Sequence, residues 1–150
     1  MSKVSIAYYT KYGNNRIAME YMTERLEGKG HEVSMLSVTE ASPESLPPAD
    51  LYVFSSGIHA SRPPGKYRKF LKKASLPPGS RYALVITHAS PEDQGTFGPS
   101  KSAKITGGIL ADKGAEQVGL LTLRVKDMKG PLPDEYREKI DSFIEEVLPS

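Results

Sequence analysis

Five short apolar segments alternate along the chain with segments of helical periodicity, and this alternation limits the fold more than any other feature of the sequence. The apolar segments are rich in β-branched and aromatic residues and lie between Gly, Pro, Asn and Ser residues, which is typical of buried strands. We therefore predict strands at residues 4–9, 33–38, 51–55, 82–87 and 118–125.

Helices are predicted in the four segments where apolar residues recur every three or four positions. The third is expected at residues 101–112, and the fourth from Pro133, because proline is favoured at the start of a helix. Residues 39–50 contain three prolines and form a connection with room for one helical turn. The residues predicted to face inward are Ile17, Tyr21, Met22 and Leu26 in the first helix, Tyr67, Phe70, Leu71 and Ala74 in the second, Ile105, Ile109 and Leu110 in the third, and Tyr136, Ile140, Phe143, Ile144 and Val147 in the fourth.

This order of elements predicts an α/β fold, a doubly wound five-stranded parallel sheet with helices on both faces. Because crossovers are right-handed, the strand order 2-1-3-4-5 fits best. The length suits one domain, which we place at residues 1–150. Such sheets bind ligands at the carboxyl ends of the strands, where the strand order reverses. That rule selects the loops after the first, third and fourth strands, which begin at Thr10, Ser56 and His88.

The composition argues against several classes of function. The chain has no cysteine, which excludes disulfides, Fe–S ligation by thiolates and a cysteine nucleophile. Its three histidines lack zinc-like spacing, and a net charge of +2 is too small to argue for nucleic acid binding. No apolar run approaches the roughly 20 residues of a membrane span. The N-terminus shows no signal-peptide pattern, so a cytoplasmic location is expected.

The first selected loop follows a strand and opens a helix, where backbone N–H groups and a partial positive charge attract phosphate. Gly13 permits a positive φ or a close approach of the backbone, and Thr10 and two asparagines add short side-chain donors. An ordinary N-cap and turn would use the same residue types. The loop has neither the Gly-Lys-Ser/Thr of a Walker motif nor a Gly-x-Gly-x-x-Gly fingerprint. The predicted phosphate loop consists of Thr10, Lys11, Tyr12, Gly13, Asn14 and Asn15.

This loop resembles the phosphate loop of the flavodoxin family, which reads Ser/Thr-x-Thr/Tyr-Gly-Asn-Thr after the first strand. Thr10, Tyr12, Gly13 and Asn14 match it, whereas Asn15 stands where the family usually has threonine. The resemblance covers the whole chain in length and order of elements, and this motif is its specific part. It implies a flavodoxin-like fold, FMN held non-covalently, and transfer of one or two electrons.

The resemblance also implies that the second selected loop lies against the flavin ring. Gly57 would turn its peptide toward flavin N5, which glycine does easily. The family often has Trp or Tyr here. This chain has no tryptophan, so His59 is the candidate for stacking on the ring, with an exposed loop histidine as the alternative. The Ser-Gly-Ile-His segment and the Lys/Arg-rich helix behind it also resemble flavodoxin-like protoporphyrinogen oxidases. The cofactor-binding residues expected here are Ser56, Gly57, Ile58, His59 and Ala60.

By the same resemblance, the third selected loop meets the pyrimidine edge of the ring. Phe97 either covers the flavin, docks a partner, or packs under its own loop. Family members commonly carry an acidic, aromatic loop here, whereas this chain is partly basic downstream, at Lys101 and Lys104. The cofactor-binding residues expected here are Thr87, His88, Ala89, Phe97 and Gly98.

Three functions are consistent with these loops. The first is an FMN-binding electron-transfer protein that uses no catalytic side chain, with a redox partner protein or a small-molecule electron acceptor as its partner. The second is an FMN-dependent oxidoreductase, such as a quinone reductase or a protoporphyrinogen oxidase-like enzyme. The third is a flavin-free binding module. A phospho-receiver is disfavoured because the first and third strands end without Asp or Glu.

A basic cluster follows the second selected loop and is consistent with either a solvated helix face or an anionic docking site. Flavodoxins are usually acidic and dock basic patches on their partners. Electrostatic steering of this slightly basic chain toward the basic patches of such partners would be weak, or reversed into repulsion. The cluster consists of Lys66, Arg68, Lys69, Lys72 and Lys73.

Overall fold

Five parallel strands form one sheet in the computed structural model, which describes residues 1–58, 62–89, 99–127 and 129–148. The strand order is β2-β1-β3-β4-β5, so the predicted doubly wound sheet with order 2-1-3-4-5 is confirmed. The strand boundaries lie within two residues of the predicted ones. The strands are β1 (Lys3–Tyr8), β2 (Glu32–Ser37), β3 (Leu51–Ser56), β4 (Arg81–His88) and β5 (Glu116–Arg124).

Helices cover both faces of this sheet, and the prolines between β2 and β3 allow one short 3-10 turn, Pro43–Ser45. The first and last helices pack together on one face, and the two middle helices pack together on the other. None of the described helices combines the length and apolar character that a membrane span requires. The helices are α1 (Asn14–Gly28), α2 (Gly65–Lys73), α3 (Pro99–Ala111) and α4 (Tyr136–Val147).

The two cores follow from the alternation of side chains along each strand. Val53 and Val85 point toward α1 and α4, where they join Met19, Met22 and Phe143 in one buried cluster. The neighbouring strand residues point the other way and form a second cluster under α2 and α3. That cluster is rich in aromatic side chains, and its largest members are Tyr52, Phe54, Tyr67, Phe70 and Tyr82.

Three details of the helices differ from the sequence-based expectation. Ile17 was expected on the buried stripe of α1 but is 49% exposed, because Ala18, Met19 and Met22 make the contact with the sheet. Helix α3 buries the small polar residues Ser102 and Thr106, while Ile105 and Ile109 are only partly buried. Helix α4 begins at Tyr136 rather than at Pro133, whose carbonyl instead accepts a hydrogen bond from Tyr136 N.

Gly119 of β5 allows α4 to pack directly on the sheet. A Cβ at this position would lie 2.6 Å from Val147 Cγ1 and 2.9 Å from Phe143 Cε1. We expect Gly119→Ala to lower the free energy of unfolding by about 1–3 kcal/mol, because the overpacked helix must shift. Urea denaturation measures the change. Gly108→Ala is the control, since a Cβ there meets open space, and it should be neutral or stabilising. Equal effects of the two variants would contradict the close packing.

Candidate functional site

The first turn of α1 presents its backbone N–H groups at the carboxyl edge of the sheet. Gly13 is the N-cap residue, with a φ of 96° and a ψ of −8°, a left-handed conformation that glycine adopts without strain. No side chain caps this helix, and its first turn contains no acidic residue. Because unpaired N–H groups and the helix dipole favour a negative charge, this helix start is suited to bind an anion.

Thr10 holds the turn that leads into α1. Its Oγ1 accepts a hydrogen bond of 2.8 Å from Gly13 N. A hydroxyl that accepts through a lone pair keeps its own proton, so Thr10 can still donate one hydrogen bond. The residue therefore shapes the loop and offers a donor to a bound group.

Asn15 joins α1 to the ends of two strands through its side chain. Its Nδ2 donates to Ser55 Oγ at 3.0 Å, and its Oδ1 accepts from Thr87 Oγ1 at 3.1 Å. All three side chains are buried. The sequence-based expectation was that the Asn15 side chain donates to an anion, and the structure adds that its amide also forms hydrogen bonds inside the protein. The backbone N–H of Asn15 lies in the first turn of α1, where N–H groups lack partners within the helix.

Asn14 is also buried, and it packs against the loop between β5 and α4. A Cβ on Gly130 would lie 2.6 Å from Asn14 Oδ1, so a residue with a side chain at position 130 would displace the asparagine. Gly130 itself has a φ of +102°. The sequence gives no sign that this distant loop supports the first loop, because 116 positions separate the two residues.

Gly57 brings the second loop against the fourth strand. A Cβ at Gly57 would lie 3.4 Å from Thr87 Oγ1 and 3.9 Å from Asn15 Oδ1. The glycine thus lies beside the hydrogen-bonded group that links α1, β3 and β4. The preceding residue, Ser56, is buried and shares a hydrogen bond with the phenol of Tyr67 from α2.

One pocket collects most of the predicted site residues that the structure describes. Ser56, Gly13 and Ala89 do not line this pocket. Ser56 turns to Tyr67, Gly13 closes the turn behind the pocket, and Ala89 packs at the edge of a core cluster. The predicted residues that do line it are Thr10, Lys11, Tyr12, Asn14, Asn15, Gly57, Ile58, Thr87 and His88.

Three further lining residues were missed by sequence reasoning: Tyr9, Pro64 and Val125. Val125 follows β5, next to the end of β4, and its N–H donates to His88 O at 2.8 Å. The predicted strand order places the end of the fifth strand beside the end of the fourth. That order could therefore have indicated Val125 as a pocket residue. Four predicted residues, His59, Ala60, Phe97 and Gly98, lie outside the described residues.

The charges around this pocket favour an anion over a cation. None of its described lining residues is acidic, and Lys11 lies at its wall. The Lys11 ammonium also stands 5.4 Å from the ring centre of Tyr12, an exposed aromatic residue. Across residues 1–58, 62–89, 99–127 and 129–148, His, Asp and Glu side chains form no group of three that could hold a metal ion.

Tyr67 gives this edge of the sheet a pH dependence. Burial raises the pKa of Tyr67 well above its ordinary value of 10.0, and the hydrogen bond with Ser56 opposes that rise only in part. A pKa that is higher in the folded than in the unfolded state stabilises the fold below the unfolded pKa, and this contribution is lost as the pH rises above it. We therefore expect Tyr67 to lower the free energy of unfolding above about pH 10 by up to about 1.4 kcal/mol per pH unit.

Tyr67→Phe removes this titration and also leaves the Ser56 hydroxyl without its partner. We expect the free energy of unfolding of the variant to be lower than that of the wild type by about 1–2 kcal/mol at neutral pH. Above about pH 10 it should fall less steeply with pH than that of the wild type. Urea denaturation between neutral and alkaline pH compares the two proteins. Parallel decline of the wild type and the variant would show that the phenol does not titrate with unfolding.

Comparison with known proteins places this geometry in a known fold. Neither a family model nor a curated protein matches the sequence. Solved flavodoxin structures do match in three dimensions. A short-chain flavodoxin associated with a PDU bacterial microcompartment superimposes with a TM-score of 0.74 at 15% identity, covering 99% of this chain and 97% of that one.

Two further matches have known bacterial sources. Flavodoxin 2 from Bacillus cereus gives a TM-score of 0.69 at 21% identity, covering 94% of each chain. A Fusobacterium nucleatum flavodoxin, solved bound to flavin mononucleotide, gives 0.70 at 14% identity and covers 98% of this chain and 97% of that one. These similarities extend over nearly the whole of each chain, and the sheet has the expected strand order. The chain therefore has the flavodoxin-like fold.

Proposed function

We propose that residues 1–150 form a single domain that binds FMN non-covalently and carries electrons to a redox partner. The observation that carries this proposal is the convergence of three loops on one pocket. The first loop with the helix start at Asn14 and Asn15, Gly57 with Ile58, and Thr87 with His88 come together at the carboxyl ends of β1, β3 and β4. Ligands of doubly wound sheets bind at this position.

The first loop has the donors that the phosphate of FMN requires. The helix start supplies backbone N–H groups, Thr10 keeps a free hydroxyl proton, and Lys11 adds a positive charge. Phosphate oxygens are strong acceptors, and a helix start favours their negative charge. The absence of acidic side chains from the described lining removes the main source of repulsion.

The other two loops offer a mixed wall for the flavin ring. Ile58, Pro64 and Val125 contribute apolar surface, whereas Thr87 and His88 contribute polar atoms. Cofactor sites commonly combine a mostly apolar lining with a few placed polar groups. Two aromatic side chains line the same pocket, Tyr9 and Tyr12, and Tyr12 is the more exposed of the two at 41%. His59 and Phe97 stay candidates for ring contacts on sequence grounds.

FMN supplies the redox chemistry when it is bound, and the protein sets the position and surroundings of the ring. No acid, base or nucleophile is needed for that role. The flavodoxin solved with flavin mononucleotide is a structural neighbour and supports the same choice of cofactor.

Titration with FMN tests the proposal directly. The protein should quench the fluorescence of added FMN with one-to-one stoichiometry and bind riboflavin much more weakly, because riboflavin lacks the phosphate. Dithionite should then reduce the bound flavin, and an external protein acceptor should reoxidise it. A protein that binds neither flavin would contradict the proposal.

His88 favours a second candidate, an FMN-dependent oxidoreductase that acts on a small molecule. This histidine is buried and lines the pocket, so it would lie beside the flavin and could contact a substrate bound next to the ring. Reoxidation of the reduced flavin by a quinone should then saturate with quinone concentration, and His88→Gln should lower the limiting rate. A rate that increases linearly with quinone concentration and is insensitive to His88→Gln would favour the carrier.

A further inference from the structure

Helix α2 presents three lysines on one side, at positions 66, 69 and 73. This spacing of three and four residues places them on the same helix face. Together with the connection after β2 they enclose a groove, which we call the lysine groove. Its lining includes Lys66, Lys69, Lys73, Val38, Pro43 and Phe70.

The lysines of this groove have no ionic partner among the described residues. The five salt bridges among the described residues all involve other side chains, on β1, β2, α1 and α4 or next to the ends of α1 and α4. Residues 51–91 contain seven of the 20 Lys and Arg residues and none of the 18 Asp and Glu residues. The rest of the chain, with thirteen basic and eighteen acidic residues, is net acidic. The segment that contains α2 is therefore the net positive part of the chain.

This positive charge does not help α2 to form. Like charges three and four residues apart repel one another on a helix. Lys66 lies in the first turn, where the helix dipole disfavours a positive charge, and that turn contains no acidic residue. Lys72 and Lys73 lie in the last turn, where the helix dipole favours a positive charge, but the dipole does not explain Lys66 and Lys69. A binding role for the exposed lysines accounts for a pattern that folding does not favour.

The lysine groove also adjoins the pocket where we propose that FMN binds. Pro64, the N-cap residue of α2, lines that pocket, and Lys66 follows two residues later. Accessible apolar atoms lie between the lysines at Ala41 and Pro43, which are half-buried, whereas Val38 and Phe70 are already buried. A positively charged rim around an apolar floor resembles half of a protein–protein interface, in which charges steer the partner and an apolar centre is covered.

We propose that the lysine groove docks an acidic surface patch of a partner protein. The carboxylates of the partner pair with Lys66, Lys69 and Lys73, and an apolar side chain of the partner covers Pro43. An extended nucleic acid fits less well, because the net acidic remainder of the molecule repels a long polyanion. That the partner exchanges electrons with the cofactor rests on the function proposed above, whereas the docking itself does not depend on flavin.

Amide NMR titration of the flavin-free protein tests the docking. The probe is a heptapeptide with six carboxylates around one phenylalanine, and its control has Gln and Asn in place of the carboxylates. At about 0.01 M salt, where the Debye length is about 30 Å, the acidic peptide should shift amides of α2 and of residues 38–43. At about 0.15 M salt the Debye length is about 8 Å, and the affinity should fall several-fold.

A triple variant and a charge-matched control make the test specific. Lys66→Gln/Lys69→Gln/Lys73→Gln should weaken the acidic peptide by about tenfold. Lys3→Gln/Lys29→Gln/Lys139→Gln makes the same change in net charge away from the groove and should have less than about a twofold effect. Circular dichroism melting verifies that both variants fold.

Three outcomes would overturn the proposal. Equal weakening by both triple variants would show that net charge alone attracts the peptide. Equal amide shifts with the uncharged peptide would show that the lysines do not contribute to peptide binding. Tighter binding of a single-stranded oligonucleotide at the same amides would assign the groove to nucleic acid. Because the titration uses no flavin, its result is separate from the outcome of the FMN titration.

Discussion

Thr10→Val is expected to weaken FMN binding by about 10- to 100-fold while changing riboflavin binding little. The threonine Oγ1 accepts the hydrogen bond from Gly13 N that shapes the turn, and its proton is free to donate to a phosphate oxygen. Valine has nearly the same shape but can do neither. Hydrogen bonds to charged groups are stronger than those between neutral groups, so the loss falls on the phosphate-bearing ligand.

Fluorescence titration with FMN and riboflavin measures both affinities. Thr10→Ser is the matched control, because it keeps the hydroxyl and should retain most of the affinity for FMN. An equal loss for both flavins in Thr10→Val would mean that the residue supports the ring or the fold rather than the phosphate. An equal loss of FMN affinity in Thr10→Ser and Thr10→Val would mean that the hydroxyl is not the contributing group.

Asn15→Leu is expected to lower the free energy of unfolding by about 2–4 kcal/mol. The variant keeps the approximate volume of the side chain but leaves the hydroxyls of Ser55 and Thr87 buried and unpaired. An unpaired buried polar group costs about 1–3 kcal/mol, and two such groups are created. The same change should weaken FMN and riboflavin by a similar factor, because the network positions strand ends and not the phosphate.

A triple variant separates hydrogen bonding from packing. Asn15→Leu/Ser55→Ala/Thr87→Val removes all three polar groups, and replacing every partner by an apolar group is close to neutral. We expect this protein to regain most of the stability lost in Asn15→Leu, as measured by urea denaturation. If the triple variant were less stable than the single variant, the loss would come from packing. If Asn15→Leu weakened FMN binding much more than riboflavin binding, the Asn15 side chain would be assigned a contact with the phosphate.

The boundaries of the strands were predictable because each buried strand carries its own signal. Continuous apolar runs such as that of β3 lie between turn residues, and the structure shifts their ends by two residues at most. The buried face of α1 was less predictable. Ile17 and Met19 are both apolar, so periodicity alone could not decide which of them meets the sheet. The tertiary contacts of the helix start determine which of the two is buried. Asn14 and Asn15 face inward to reach the loop before α4 and strand β3, respectively, and this orientation turns Met19 toward the sheet.

The candidate site shows the same division. The sequence alone determined that a Thr-to-Asn loop ends the first strand, that a glycine stands where the helix starts, and that parallel strands bring three loops to one edge. These are local or topological facts, and local conformational preference and handed crossovers suffice to derive them. Only the tertiary structure decided what each side chain does in that loop. It engages Asn15 with Ser55 and Thr87, and it packs Asn14 against Gly130. Those roles depend on contacts between residues 40 to 116 positions apart, which no local pattern encodes.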